Sequence, residues 1–168
     1  MGVECSHRLG SAEETELLGV ALGEAIDAAV VIALVGEMGS GKTTFVRGLA
    51  RGLGVQEVVN SPTYTLMKRY EGRMRLDHLD AWLEGREREV LADGAHQLLG
   101  REGVCVVEWA DRVEDWLPSE RIEVRLEVTG ACERVAVVRC LGDESMGAAQ
   151  RGFDALVRWS VPESGHEG

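Results

Sequence analysis

Gly36-Glu37-Met38-Gly39-Ser40-Gly41-Lys42-Thr43-Thr44 fits the pattern G-x-x-x-x-G-K-[ST] at every fixed position. These residue types share a physical purpose. Phosphate oxygens need several backbone N–H donors converging on one point, so side chains must stay clear of it. Gly36, Gly39 and Gly41 permit that close approach. The helix that follows adds unpaired N–H groups and the positive end of its dipole. Lys42 offers a mobile positive charge to β- and γ-phosphates, and Thr43 a hydroxyl able to ligate Mg²⁺. The flanks agree. Val30-Val31-Ile32-Ala33-Leu34-Val35 is apolar throughout, as a central strand covered on both faces would be. Thr44-Phe45-Val46-Arg47-Gly48-Leu49-Ala50 reads as the helix leaving the loop, and Gly52 or Gly54 can end it.

Upstream, Ser11-Ala12-Glu13-Glu14 is a capping-box pattern. It opens an amphipathic helix with Leu18, Ala21, Leu22, Ala25 and Ile26 on one face. Downstream comes Asn60-Ser61-Pro62-Thr63-Tyr64-Thr65-Leu66, where Pro62 holds Ser61 extended. Tyr64, Leu66, Lys68 and Tyr70 then alternate with Thr65, Met67 and Arg69. A Glu71-Gly72-Arg73 turn leads into a second alternating run to His78, which predicts a β-hairpin. Residues 83–99 predict one or two helices broken near Gly94. Val104-Cys105-Val106-Val107 is a second fully apolar strand, ending in Glu108-Trp109. Asp111 to Leu117 predicts a short helix stopped by Pro118. Ile122 to Val128 and Arg134 to Cys140 alternate around a Thr129-Gly130 turn, as antiparallel neighbours would. Leu141 to Gly152 is Gly- and Ala-rich and reads as a linker. A short helix with Phe153, Leu156, Val157 and Val161 follows, and residues 163–168 read as disordered. The expected organisation is one domain over 1–140, then a linker and short C-terminal extension over 141–168.

With 168 residues the chain is long enough for one domain with a sizeable core. Its net charge of −11 argues against a nucleic-acid-binding surface as a whole. Basic residues nevertheless gather at and after the loop: Lys42, Arg47, Arg51, Lys68, Arg69, Arg73 and Arg75. They suit a polyphosphate or anionic partner, or else form a solvated face. No apolar run has the roughly 20 residues that a membrane span needs. The four cysteines form no C-x-x-C pair and no zinc spacing, which fits a reduced, cytoplasmic setting. Cys105 reads as a buried small hydrophobe.

A phosphate loop needs an acid to hold or orient the metal, at the end of an apolar strand beside the loop strand. Glu108 has that position. Asp80 closes the hairpin pattern Leu76-Asp77-His78-Leu79-Asp80 and can position the attacking water, accept its proton or hold a metal-bound water. Asp77 competes but lacks the strand-end place. His78 is either a polar core residue or one near the site. Trp109 either packs as a core aromatic supporting Glu108, the expected role, or is exposed for a partner.

Taken together, the phosphate loop, Arg47-Gly48-Leu49-Ala50, Ser61-Pro62-Thr63-Tyr64-Thr65-Leu66, His78-Leu79-Asp80 and Glu108-Trp109-Ala110 resemble the TsaE (YjeE) family of tRNA threonylcarbamoyladenosine biosynthesis ATPases. The likeness spans roughly residues 10–140. It implies an α/β, P-loop NTPase-like three-layer fold with a mixed central sheet, parallel core strands plus antiparallel ones. It implies an ATP hydrolase, weak alone, that uses Mg²⁺ and works with TsaD-like and TsaB-like partners. The product would be threonylcarbamoyl-modified adenosine 37 in tRNAs reading ANN codons, with tRNA met through the complex. By this resemblance Gly36, Glu37, Met38, Gly39, Ser40, Gly41, Lys42, Thr43 and Thr44 bind ATP. Lys42, Asp80 and Glu108 serve catalysis, Thr43 and Glu108 hold the metal, and Ser61, Pro62, Thr63 and Tyr64 form a switch segment. Ser11 and Arg134 would flank the adenine. The chain departs from the family in Glu37-Met38, usually Asp-Leu, in Ser40, usually Ala, and in Ala81-Trp82-Leu83, where Tyr-Arg-Leu is usual.

Two other classes share such a loop. A small-molecule kinase would carry an Arg-bearing lid after the Glu108 strand, and no second Arg cluster stands there. A GTP-dependent regulatory switch would carry N-K-x-D to read guanine, and the sequence has none.

Overall fold

The computed structural model describes residues 3–62, 67–82, 99, 101–142 and 147–162. The expected helices over 83–98, the tail over 163–168, and Thr63 and Tyr64 lie outside them. In chain order the strands are β1 (Val3–Leu9), β2 (Val30–Gly36), β3 (Met67–Tyr70), β4 (Leu76–Asp80), β5 (Val104–Glu108), β6 (Arg121–Val128) and β7 (Arg134–Leu141). The helices are α1 (Ala12–Ala25), α2 (Lys42–Gly52) and α3 (Ala148–Arg158), with a 3-10 helix over Ala110–Trp116.

All seven strands form one sheet in the order β1-β7-β6-β2-β5-β4-β3. β2 pairs in parallel with β5 and β6, and β4 in parallel with β5. The pairs β3–β4, β6–β7 and β1–β7 are antiparallel. This is the mixed α/β sheet the sequence predicts. The two hairpins arise where alternation is clean, and the parallel strands where the runs are wholly apolar.

Period-two alternation divides the buried side chains between the two faces. Ile32, Leu34, Leu76, Val104, Val106, Ile122 and Val124 pack against Leu18, Leu22, Phe45, Leu49, Phe153 and Leu156 of the three helices. On the other face Val31, Ala33, Val35, Leu79, Cys105 and Val107 meet Ala110 and Val113 of the 3-10 helix. Cys105 is among them, and burial pushes its thiol up to about 12. Each fully buried Leu or Phe contributes about 1.5–3 kcal/mol over its exposed state.

Packing of α1 on α2 fixes where the loop helix lies. A Cβ on Gly48 would stand 1.9 Å from the Glu16 carbonyl oxygen, and one on Gly19 would stand 2.2 Å from that of Phe45. The two backbones therefore approach where no side chain fits, and α2 is locked against α1 a turn beyond the phosphate loop.

Two features differ from the sequence reading. β1 is an edge strand that composition did not reveal. Helix α3 begins at Ala148, inside the segment read as a linker. Gly152 lets it approach Leu22 and Ile122, so tertiary packing overrides the poor helix propensity of glycine.

Candidate nucleotide and metal site

The register of the parallel strands assembles the acids. Asp80 lies beside Glu108, and Glu108 beside Leu34, two residues before Gly36. Both acids thus stand at C-terminal strand ends, on the face that carries α2. This is where open α/β sheets bind ligands. His78, two residues before Asp80, shares that face. Asp77 points the other way and pairs with Arg69 at 2.7 Å and Arg75 at 3.2 Å.

Local chain geometry shapes the loop. Gly39 and Gly41 adopt φ of 77° and 102°, a left-handed conformation that costs other L-residues about 1–2 kcal/mol. The N–H of Ser40 closes a turn onto the Glu37 carbonyl at 3.1 Å. Lys42 folds over the loop, its ammonium donating to the Gly36 and Glu37 carbonyls at 2.7 and 2.8 Å. The same ammonium lies 3.9 Å from the centre of the Trp109 ring, a cation–π contact. Burial lowers the pKa of Lys42, opposed by Glu108, Asp80 and Asp111.

The Thr43 hydroxyl donates to Glu108 Oε1 at 3.2 Å. His78 Nε2 donates to the same oxygen at 3.0 Å. Glu108 is 3% exposed and His78 is fully buried, so the carboxylate is held from two sides in a setting of low polarity. His78 is a fully buried residue that also touches Glu108. Its Nδ1 is buried without a partner among the described residues. Asp80 Oδ1 accepts the Trp82 N–H at 2.9 Å. Burial raises the Asp80 carboxyl's pKa, the Trp82 N–H opposes this, and Glu108 adds to it.

Met38, Gly39, Gly41, Lys42, Thr43, Thr44, Ser61, Asp80 and Glu108 all line one cavity of about 390 Å³, with Trp82 and Trp109 as its aromatic wall. The two indoles lie 4.5 Å apart, and the Arg112 guanidinium sits 3.7 Å over Trp82. Trp109 packs against the core cluster of Val107 and Ala110 as expected and also walls the cavity; it holds φ at 57°, the one positive value on a non-glycine among the described residues. Strain of this kind collects at functional sites.

Other expected residues stand around this cavity. Glu37 and Gly36 border a neighbouring one of about 410 Å³ with Asp111 and Arg125. Arg134 borders a third of about 300 Å³ beside Gly10. Ser11 caps α1, its Oγ accepting the Glu14 N–H at 3.2 Å as the capping box predicts. Pro62 is buried next to Ser61. Of the basic residues at and after the loop, Lys42 alone lines the cavity shared with Asp80 and Glu108. Arg51 pairs with Glu16, while Arg47 and Arg73 donate to the Val59 and Gly23 carbonyls.

A family model for threonylcarbamoyl adenosine biosynthesis protein TsaE matches residues 9–136. The chain belongs to the TsaE family. The tRNA threonylcarbamoyladenosine biosynthesis protein TsaE of Treponema pallidum is 39% identical over 118 residues, 70% of this chain and 87% of that one. The Bacillus subtilis TsaE is 40% identical over 114 residues, 67% of this chain and 71% of that one. The crystal structure of YdiB from Bacillus subtilis superposes with a TM-score of 0.76 at 29% identity, covering 94% of this chain and 97% of that one. The TsaE match begins at Leu9 and ends at Ala136, so it takes in the loop, both acids and Arg134. Among the described residues, no helix is long and apolar enough to cross a membrane.

The sequence reading missed Trp82 and the glycines between α1 and α2. Both had a signal. Trp82 follows Asp80 by two, and Gly19/Gly23 and Gly48/Gly52 each keep the four-residue spacing that puts small residues on one helix face.

Proposed function

We propose that the chain is a Mg²⁺-dependent ATPase subunit in threonylcarbamoyl modification of adenosine 37 in tRNAs reading ANN codons. It acts in the cytoplasm with TsaD-like and TsaB-like partners and meets tRNA through them. The observation that carries this reading is the convergence of Lys42, Thr43, Asp80 and Glu108 on one cavity at the phosphate loop. Membership of the TsaE family supplies the pathway.

The loop amides and Lys42 bind the phosphate tail. Thr43 and Glu108 fit Mg²⁺, since a hydroxyl and a carboxylate are hard oxygen donors already within 3.2 Å. Mg²⁺ ordinarily takes only one or two protein ligands beside phosphate oxygens and water. A Mg²⁺ ion held by Thr43 and Glu108 would supply positive charge to the phosphate tail. His78 keeps Glu108 turned toward Thr43. Asp80 orients the attacking water and takes up its proton; its raised pKa suits a proton acceptor. Trp82 and Trp109 wall the reacting end against bulk water, which strengthens every charge interaction inside. By the family resemblance Ser11 and the strand end near Arg134 would flank the adenine, and a cavity lined by Gly10 and Arg134 is compatible with that. Ser61 to Tyr64 form the switch segment.

The test is phosphate release from ATP and from GTP by the chain alone, then with TsaB, TsaD and tRNA added. Slow ATP turnover that the partners raise is expected. Phosphate transferred to a small-molecule acceptor would instead make the chain a kinase, and no uptake of ATP-Mg²⁺ under any condition would remove the assignment.

A further inference from the structure

Arg134 opens β7, paired on one side with Leu9 of β1 and on the other with Val128 of β6. Its guanidinium donates to four backbone carbonyls. Nε reaches Ser40 at 3.1 Å and Nη2 reaches Gly39 at 3.1 Å. Nη1 reaches Gly130 at 3.3 Å and Glu133 at 2.9 Å. One rigid fork thus ties two consecutive peptides of the phosphate loop to the turn between β6 and β7.

We propose that Arg134 is a positioning residue of the phosphate loop, gripping the outward carbonyls of Gly39 and Ser40 so that the loop turn stays closed and the Gly41 N–H stays turned toward bound phosphate. In a trans peptide the C=O of one residue and the N–H of the next point in opposite directions. Holding the Ser40 carbonyl outward therefore aims the Gly41 N–H inward. Holding the Gly39 carbonyl keeps the Ser40 N–H in its turn bond to Glu37. Arg134 does not line the cavity that holds Lys42 and Glu108, so its grip is on the loop's far side.

The loop's other side-chain brace behaves differently. Lys42 holds the Gly36 and Glu37 carbonyls. A phosphate that draws the ammonium away releases them. The Arg134 bonds face away from the ligand and persist. A cation on the Ser40 carbonyl also polarises that peptide and makes the Gly41 N–H a better donor. Lysine cannot replace it, because a single ammonium lacks the planar fork that spans two loop carbonyls and the turn at once.

This inference rests on the nucleotide reading, and the experiment separates the two. Full-length wild type, Arg134→Ala and Arg134→Lys are titrated calorimetrically with ATP and with inorganic tripolyphosphate. Amide hydrogen exchange of residues 39–42 is measured without ligand. Both variants are expected to bind ATP and tripolyphosphate more weakly by the same factor, about tenfold. Saturating ATP is expected to restore kcat, and exchange at residues 39–42 to speed up while the thermal midpoint of Arg134→Lys stays near wild type. Tripolyphosphate binding unchanged while ATP binding falls would put Arg134 on the nucleoside and overturn the proposal. So would unchanged exchange in a folded Arg134→Lys. Wild type that binds neither ligand would retire the nucleotide reading, with the exchange comparison still deciding whether Arg134 braces the loop.

Discussion

The Thr43 hydroxyl meets Oε1 of Glu108 at 3.2 Å across 65 positions of chain. Thr43 is where it is because α2 begins at the loop, and Glu108 because β5 lies beside β2. The contact therefore joins the phosphate loop to a neighbouring strand. His78 steadies it from β4 through the same oxygen. Two hydroxyl- and imidazole-borne donors on one carboxylate oxygen set its orientation before any ligand arrives, which lowers the cost of assembling the site.

Lys42→Ala is expected to weaken ATP binding by about tenfold to a hundredfold, the worth of a charge-assisted hydrogen bond. The fold should survive, because the ammonium serves loop carbonyls and the Trp109 face rather than the core. Calorimetry with ATP-Mg²⁺ reads the affinity. A variant that binds as wild type does would show that the loop works without its cation.

Glu108→Gln keeps an oxygen for Thr43 and His78 but removes the negative charge. Metal affinity of the nucleotide complex should drop by about 10- to 100-fold, the range typical of disturbed metal shells. Metal-free ATP binding should change little. Mn²⁺ titration followed by electron paramagnetic resonance measures the first, and calorimetry in chelator the second. Equal Mn²⁺ affinity in variant and wild type would take Glu108 out of the metal's reach.

Asp80→Asn is expected to cut partner-stimulated kcat by about 100-fold or more, as loss of a general base does, with ATP affinity nearly kept. It should also raise stability at neutral pH. Burial raises the Asp80 pKa in the folded state, so the native protein holds that proton more tightly than the unfolded chain does. The resulting stability is present below the ordinary carboxylate pKa of about 3.9 and is lost as pH rises through the raised value. Thermal melts of variant and wild type should therefore diverge at pH 7 and converge below about pH 4. A wild type that melts higher than the variant at pH 7 would contradict this.

Gly48→Ala places a methyl group 1.9 Å from the Glu16 carbonyl, with backbone as the obstacle. Alanine favours an isolated helix by about 1 kcal/mol over glycine, yet here the clash should win and cost about 2 kcal/mol or more. At about 2–4 °C per kcal/mol, the thermal midpoint should fall by at least about 4 °C. ATP affinity should fall with it, because α2 carries Lys42 and Thr43. An unchanged midpoint would mean that α1 and α2 can separate freely.

Much of this protein is local chemistry, and local chemistry is legible. Gly39, Gly41, Lys42 and Thr43 form their loop because glycine tolerates positive φ and a helix N-terminus collects anions, both short-range facts. The alternation of Leu76, His78 and Asp80 puts the acid on the face of the core, and the apolar run ending at Glu108 makes a buried strand. Strand order is another matter. That Asp80 and Glu108 become neighbours depends on β4 and β5 pairing in parallel across a long stretch of intervening chain. β1 pairs with β7 from the other end of the chain, and α3 packs against the core with Gly152 close to Leu22 and Ile122. The four carbonyls that Arg134 holds come from the phosphate loop and the β6–β7 turn, far apart in the chain, and only the fold brings them together. Sequence alone settled which groups could do chemistry, since that is a property of each side chain and its immediate neighbours. Only tertiary packing decided which of them meet, since that depends on surfaces buried between segments the chain keeps far apart.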